Sequence, residues 1–148
     1  MKSTLLNSLL ERPILGVDIT PKTALATEIR YVDNVENEHI EAITKYSTID
    51  TFQISDFSKI TEKATDYQYI KLYVHSPIIQ QLYPLVLVDM PGFVSPLDEH
   101  NKAIKRYIDK GAHFMLLINA TEGAITEVME REIEYLISLK RSVSVFLS

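Results

Sequence analysis

The sequence has few of the residues from which several kinds of site are built. It contains no cysteine, which excludes disulfide bonds and thiolate metal ligands within these 148 residues. The formal net charge is −5, and broad nucleic-acid binding needs a concentrated basic face, so we expect no nucleic-acid partner. No apolar run approaches the roughly 18 residues of a membrane-spanning helix. The first apolar stretch is interrupted by Asn7 and Ser8, unlike that of a signal peptide.

The composition nevertheless fits a folded domain. The chain is 46% hydrophobic and 24% charged, which is typical of a globular protein. Its length fits a single domain that buries most of the surface exposed by the unfolded chain. We find no repeat, low-complexity segment or linker.

Three nearly continuous apolar runs indicate an α/β fold. They cover residues 84–89, 113–120 and 143–147, and helical patterns at 96–110 and 125–140 separate them. Continuous apolar runs are typical of strands buried on both faces of a parallel sheet. Strands that alternate with helices form such a sheet through right-handed crossovers. We therefore predict that the three runs are parallel neighbours in one mostly parallel sheet.

The first half of the chain has shorter patterns. Leucines at helical spacing predict a helix over 3–11, and residues 14–23 are expected to form an exposed loop. Alternating or strand-forming residues predict strands over 24–32, 39–47 and 69–74, and a short helix is expected over 56–64. The strands at 24–32 and 69–74 should extend the sheet beyond 84–89, with one antiparallel pairing.

The stretch "KSTLLNSLL" (2–10) matches the end of a phosphate-binding loop. Such a loop reads G-x-x-x-x-G-K-[ST]; its lysine contacts the β- and γ-phosphates, and its hydroxyl binds Mg²⁺. Lys2 and Ser3 fill the last two positions, and Thr4 follows them. The glycine-rich part is missing, because Met1 occupies the place of the second glycine. Alone, the three residues favour a charged terminus with a helix cap.

A second stretch, "LVDMPGF" (87–93), favours a phosphate-binding site over a simple helix cap. Asp89 ends a predicted buried strand, and ligands bind at that end of strands in open α/β sheets. A carboxylate there holds Mg²⁺ through water, and Gly92 lets its backbone N–H approach a γ-phosphate. An ordinary turn would also use Asp, Pro and Gly. Together, the two stretches resemble the GTPase branch of the phosphate-binding-loop proteins, which implies that Lys2, Ser3, Thr4, Asp89 and Gly92 lie at the nucleotide.

Three families share parts of this pattern. Transporter-type ATPases often carry the same K-S-T-L-L string, but they end the later strand in Asp-Glu, which is absent here. Ribosome-associated GTPases have both motifs, usually closer together in the sequence, and they remain an alternative. The spacing, together with "TPKTALATEIRY" (20–31), resembles the dynamin family, most closely the bacterial dynamin-like proteins. The resemblance covers residues 1–148.

The resemblance implies a fold, an activity and further site residues. It implies a three-layer GTPase domain that binds and hydrolyses GTP with Mg²⁺. Thr23, or alternatively Thr20 in the same loop, is the implied switch threonine, so the catalytic residues are Lys2 and Thr23. The implied metal ligands are Ser3, Thr23 and Asp89. For the whole protein it implies self-association, membrane remodelling, a cytoplasmic location and peripheral membrane contact through regions outside this chain.

We expect the chain to be a partial domain. The first strand and the glycines before Lys2 are missing, and Ser148 stands where the guanine-reading [NT]-K-x-D motif would begin. A chain cut at both motifs should hydrolyse GTP at a negligible rate, because phosphoryl transfer depends on positioning around the γ-phosphate. A non-catalytic, degenerate α/β module that binds a partner is the alternative of another class.

Overall fold

The structure is a computed structural model of the chain, and it describes residues 2–16, 25–91, 98–118, 127–138 and 142–147. The chain divides into two compact units, Met1–Pro91 and Gly92–Ser148. The helices and strands of the described residues are, in order, α1 (Lys2–Leu10), β1 (Thr27–Tyr31), β2 (His39–Thr44), β3 (Ile49–Phe52), α2 (Phe57–Glu62), β4 (Tyr67–Val74), α3 (Pro77–Leu82), β5 (Leu87–Asp89), α4 (Asp98–Asp109), β6 (Phe114–Ile118), α5 (Glu127–Ser138) and β7 (Val143–Leu147).

The first unit is built on a five-stranded sheet with the strand order β3-β2-β4-β1-β5. Strands β1 and β4 are parallel, with Thr27 opposite Ile70. The other pairings, β1 with β5, β2 with β3 and β2 with β4, are antiparallel. The prediction that β1 and β4 extend the sheet on the side of β5, with one antiparallel pairing among them, is confirmed. The prediction of a mostly parallel sheet is wrong, because this sheet is mixed.

Local sequence explains the mixed sheet. A short turn joins β2 to β3, and strands joined by such a turn are antiparallel. Within that turn Ser47 adopts a left-handed φ of 63°, and Thr44 N–H donates to the Thr48 carbonyl at 2.9 Å. Strand β4 alternates buried and more exposed residues. That alternation is typical of sheets with one apolar face, rather than of parallel sheets buried on both faces.

The apolar face of this sheet carries the hydrophobic core of the first unit. Helices α1, α2 and α3 each contribute to it, so they pack on that face. Leu15 is also part of it and is only 3% exposed, so the prediction of an exposed loop is wrong at this position. The core consists of Leu10, Leu15, Ile29, Ile40, Ala42, Phe57, Ile60, Tyr67, Ile70, Leu72, Val74 and Ile79.

The second unit contains α4, β6, α5 and β7. Strands β6 and β7 are parallel, with Phe114 opposite Val143, as predicted for these two runs. They form a two-stranded sheet separate from the one that contains β5, so the prediction of three neighbours in one sheet is wrong. An apolar run predicts a strand, but backbone hydrogen bonds choose its neighbour, and these have no side-chain signature. The predicted burial of these runs on both faces is also wrong, because Met115 is 61% exposed and Val145 is 47% exposed. Gly111 follows α4 with a φ of 75°, the left-handed conformation of a helix cap.

Two elements were not predicted. Strand β3 is short and mostly exposed, with the sequence IDTF, and has neither clear alternation nor an apolar run. Helix α3 has a start signal that the sequence displays, because Ser76 caps it by accepting a hydrogen bond from the Ile79 N–H and Pro77 occupies its first turn. The helix predicted over 96–110 is seen as α4, and residues 92–97 before it lie outside the described residues.

Candidate nucleotide-binding site

The site lies where the first turn of α1 meets the carboxyl end of β5. Helix α1 begins at Lys2, so Lys2 and Ser3 occupy its first turn. Strand β5 ends at Asp89 and is an outer strand of the five-stranded sheet. Helix α1 packs beside β5. Two segments far apart in the sequence therefore meet at one end of the sheet.

The Asp89 side chain contacts Lys2 and Ser3 of α1. The Lys2 Nζ lies 3.0 Å from Asp89 Oδ1, and the Ser3 hydroxyl donates a hydrogen bond of 3.3 Å to Asp89 Oδ2. The Asp89 side chain is 13% exposed and that of Lys2 is 37% exposed. Asp89 Oδ1 is fully buried and has no hydrogen-bond partner among the described residues. Lys2 Nζ and Asp89 Oδ1 are thus close enough to form an ion pair, but their geometry is not that of a hydrogen bond.

This arrangement fits a hard divalent cation. A buried carboxylate oxygen without a hydrogen-bond partner is rare, and such an atom needs an explanation. Mg²⁺ prefers oxygen ligands and is commonly bound through one or two carboxylates together with waters and substrate phosphates. Asp89 Oδ1, Asp89 Oδ2 and Ser3 Oγ are three oxygens of this kind in one place. The residues present therefore suit Mg²⁺, with Lys2 beside them to contact a phosphate.

Among the described contacts, none connects the other predicted site residues with Lys2, Ser3 or Asp89. Thr4 is exposed on α1, and its carbonyl accepts a hydrogen bond of 3.0 Å from the Ser8 hydroxyl. Thr23, its alternative Thr20, and Gly92 lie outside the described residues. The structure thus brings together Lys2, Ser3 and Asp89, and the roles assigned to all these residues stay predictions.

Asn7 fixes the segment that follows α1, and the sequence prediction missed it. Its side-chain amide donates to the Leu15 carbonyl at 2.8 Å and accepts from the Leu15 N–H at 2.8 Å. The Asn7 amide thus donates to and accepts from the backbone of one residue, as the backbone of a neighbouring β-strand would. The available signal was that Asn7 interrupts an otherwise apolar helical pattern.

A second supporting group lies at the other end of α1. Arg12 donates from Nη1 to both carboxylate oxygens of Glu38, at 2.6 and 2.8 Å. The backbone N–H of His75 donates to Glu38 Oε1 at 2.9 Å. Burial by itself raises the pKa of Glu38, but the hydrogen bonds from Arg12 and His75 and the charges of both residues outweigh it, so the pKa is lowered. This cluster ties α1 to β2 and β4.

Glu28 and Arg30 form a third pair, within the "EIRY" stretch of β1. Glu28 is 2% exposed, and Arg30 donates to its Oε2 from Nη2 at 2.7 Å. Burial lowers the pKa of Arg30, but the hydrogen bond and charge of Glu28, with smaller effects of Tyr73 and Tyr69, raise it above the ordinary value. The pair gives β1 a charged side opposite the core.

Two further findings concern only the described part of the chain. It holds no group of three or more histidine, aspartate or glutamate side chains suited to a metal ion. None of its helices combines the length and hydrophobicity that a membrane span requires.

A helix start with Lys-Ser against an aspartate at a strand end defines the class of α/β phosphate-binding-loop proteins. Within this class the chain belongs to the dynamin family, whose sequence model matches residues 2–147. The family predicted from the sequence is therefore confirmed, and the chain is a dynamin-type GTPase-domain sequence. Among curated proteins, none matches this sequence.

Two solved structures are similar in fold. Both are described as an oligomerised bacterial dynamin pair that provides a mechanism for the long-range sensing and tethering of membranes. The first has a TM-score of 0.65 at 17% identity, and the second has 0.63 at 18%. Each match covers 99% of this chain and 23% of the matched chain, so this chain spans about a quarter of their length.

Proposed function

We propose that residues 1–148 form part of a dynamin-type GTPase domain that binds GTP with Mg²⁺ and contributes to its hydrolysis. The observation that carries this proposal is the convergence of Lys2, Ser3 and Asp89 between α1 and β5. The family match supports GTP as the nucleotide. We further propose that the domain is a three-layer α/β sandwich.

Each residue of the site has a defined task in this proposal. The Lys2 ammonium contacts the β- and γ-phosphates and offsets their charge. Ser3 Oγ and the Asp89 carboxylate hold Mg²⁺, which neutralises charge on the phosphate oxygens when bound. Thr4 borders the phosphates, and the Gly92 N–H faces the γ-phosphate. Thr23, or Thr20, contacts the γ-phosphate and Mg²⁺ and positions the attacking water.

For the whole protein we propose nucleotide-dependent self-association and membrane remodelling. The support is the family, together with the description of the two similar structures as oligomerised and membrane-tethering. Membrane contact is assigned to regions outside these residues, and the protein is cytoplasmic with a peripheral membrane association.

The test uses two forms of the chain. One is the 148-residue chain, and the other is extended by a glycine-rich loop before Lys2 and by Lys-x-Asp after Ser148. We expect the extended chain to bind a fluorescent GTP analogue in the presence of Mg²⁺, and the short chain to hydrolyse GTP at a negligible rate.

Lys2→Ala should abolish binding by the extended chain, and Lys45→Ala, which changes the same charge at an exposed position of the β2–β3 turn, should not. Absence of binding by the extended chain, or equal binding by its Lys2→Ala variant, would contradict the proposed function. Turnover by the 148-residue chain above its own Lys2→Ala control would contradict the expectation that the partial domain is inactive.

A further inference from the structure

The Lys2–Asp89 ion pair uses the same atoms that the proposed function assigns to two ligands. Lys2 Nζ is assigned to phosphate, and it lies 3.0 Å from Asp89 Oδ1. Asp89 Oδ1 is assigned to the cation, and the lysine ammonium is the charged group next to it. A phosphate that draws Lys2 away and a cation that approaches Asp89 therefore each act on the same contact.

The surroundings of Asp89 make this contact matter. The carboxylate is mostly buried, and its other oxygen is held by the Ser3 hydroxyl. A buried charge is less costly beside an opposite charge, so the mostly buried Asp89 favours a neighbouring cation. Lys2 and a divalent cation can each be that neighbour, but they approach the same oxygen.

Resting on the proposed function, we propose that Asp89 is the internal counter-ion of Lys2 and that the pair couples phosphate binding to cation binding. When phosphate takes Lys2, Asp89 Oδ1 is released for the cation. When the cation takes Asp89, Lys2 is released for phosphate. Because coupling between two binding events is reciprocal, each ligand strengthens the other by the same factor.

The expected factor is modest. Lys2 is 37% exposed, so solvent screens the pair. Exposed and partly exposed ion pairs change equilibria by about two- to fivefold. Removing either partner should therefore tighten the binding of the ligand that competes for the other partner by about that factor.

The experiment uses the 148-residue chain and two simple probes. The first probe is Mn²⁺ alone, followed by paramagnetic broadening of backbone amide resonances in NMR spectra. We expect Lys2→Met to bind Mn²⁺ about two- to fivefold more tightly than the wild type at Asp89. Asp89→Asn should remove the specific broadening, and the control Lys45→Met should match the wild type. The spectra themselves report whether each variant is folded.

The second probe is inorganic tripolyphosphate alone, in buffer with a chelator. Here Asp89→Asn should bind about two- to fivefold more tightly than the wild type, because Lys2 has lost its partner. The control Asp33→Asn, an exposed aspartate with the same charge change, should not. An aspartate that served only as a metal ligand would give no gain without metal.

The outcomes separate this inference from the proposed function. Equal Mn²⁺ affinity in the wild type and Lys2→Met, no specific Mn²⁺ binding in either, or no gain in tripolyphosphate affinity in Asp89→Asn would overturn the counter-ion role. Any of these results leaves GTP binding by the extended chain unaffected. If both gains appear and the extended chain does not bind GTP, the proposed function fails instead.

Discussion

Two ion pairs lie at opposite ends of α1, and they differ in how completely the carboxylate is satisfied. Glu38 receives three hydrogen bonds, two from Arg12 and one from the His75 N–H. From the residues that the structure describes, Asp89 receives one from Ser3, and its second oxygen has the nearby Lys2 charge but no hydrogen bond. Both carboxylates are mostly buried, with 6% exposure for Glu38 and 13% for Asp89.

The difference separates a structural pair from a ligand-binding one. A carboxylate whose oxygens all have well-aligned donors gains nothing from a further partner. A buried oxygen without a hydrogen bond costs free energy, and a ligand that satisfies it recovers that cost. We therefore assign the Arg12–Glu38 pair to stability and the Lys2–Asp89 pair to ligand binding. The predictions below test this assignment in decreasing order of expected effect.

The largest effect should be that of Lys2→Ala on the extended chain. We expect GTP hydrolysis to fall by about a hundredfold or more, because a charge that stabilises the transferring phosphate is lost. The free energy of urea unfolding should fall by no more than about 1 kcal/mol, since solvent screens an ion pair whose lysine is 37% exposed. Steady-state phosphate release and urea titration measure the two quantities. A large loss of stability would show that this pair is structural after all.

Glu38→Gln should reduce the stability of the chain rather than its activity. Glutamine keeps the shape but loses the charge that accepts two bonds from Arg12, so we expect the free energy of unfolding to fall by about 2 kcal/mol. Urea titration followed by circular dichroism measures the change. Glu36→Gln is the matched control, because Glu36 is exposed on the 3-10 turn just before Glu38. If the two variants are equally stable, the Arg12–Glu38 pair contributes nothing measurable.

How far the sequence predicted the structure differs between these two pairs. The convergence of Lys2, Ser3 and Asp89 could be predicted, because a Lys-Ser helix start and an Asp-x-Pro-Gly stretch at a strand end are recognisable motifs in the sequence. The Glu38 cluster was not found, because its three groups come from distant segments and no periodicity connects them. Strand neighbours were only partly predicted for the same reason. Side-chain patterns mark which residues are buried, and the joining of β5 to β1 rather than to β6 depends on backbone pairing.

The pH dependence of stability should reveal the Glu38 pair in a second way. The pKa of Glu38 is lowered in the folded chain, whereas an unfolded glutamate has a pKa of about 4.3. Its contribution is therefore fully present above about pH 4.3 and is lost as the pH falls through the folded-state value. Between about pH 6 and pH 3, Glu38→Gln should lose less stability than the wild type. Glu36→Gln should follow the wild type, and parallel curves for all three proteins would contradict the lowered pKa.

The smallest effect should be that of Asn7→Ala, which tests whether Asn7 and the Glu38 cluster act together on the segment after α1. The substitution removes both hydrogen bonds to Leu15, and alanine regains part of the loss because it favours helix. We expect a net loss of about 1 kcal/mol in the free energy of unfolding. Ser8→Ala is the control, because Ser8 is exposed on the same helix and its hydroxyl donates to the Thr4 carbonyl within that helix. Combined with Glu38→Gln, the Asn7→Ala effect should be less than additive, since both groups hold the segment after α1. Full additivity would show that Asn7 and the Glu38 cluster support separate parts of the unit.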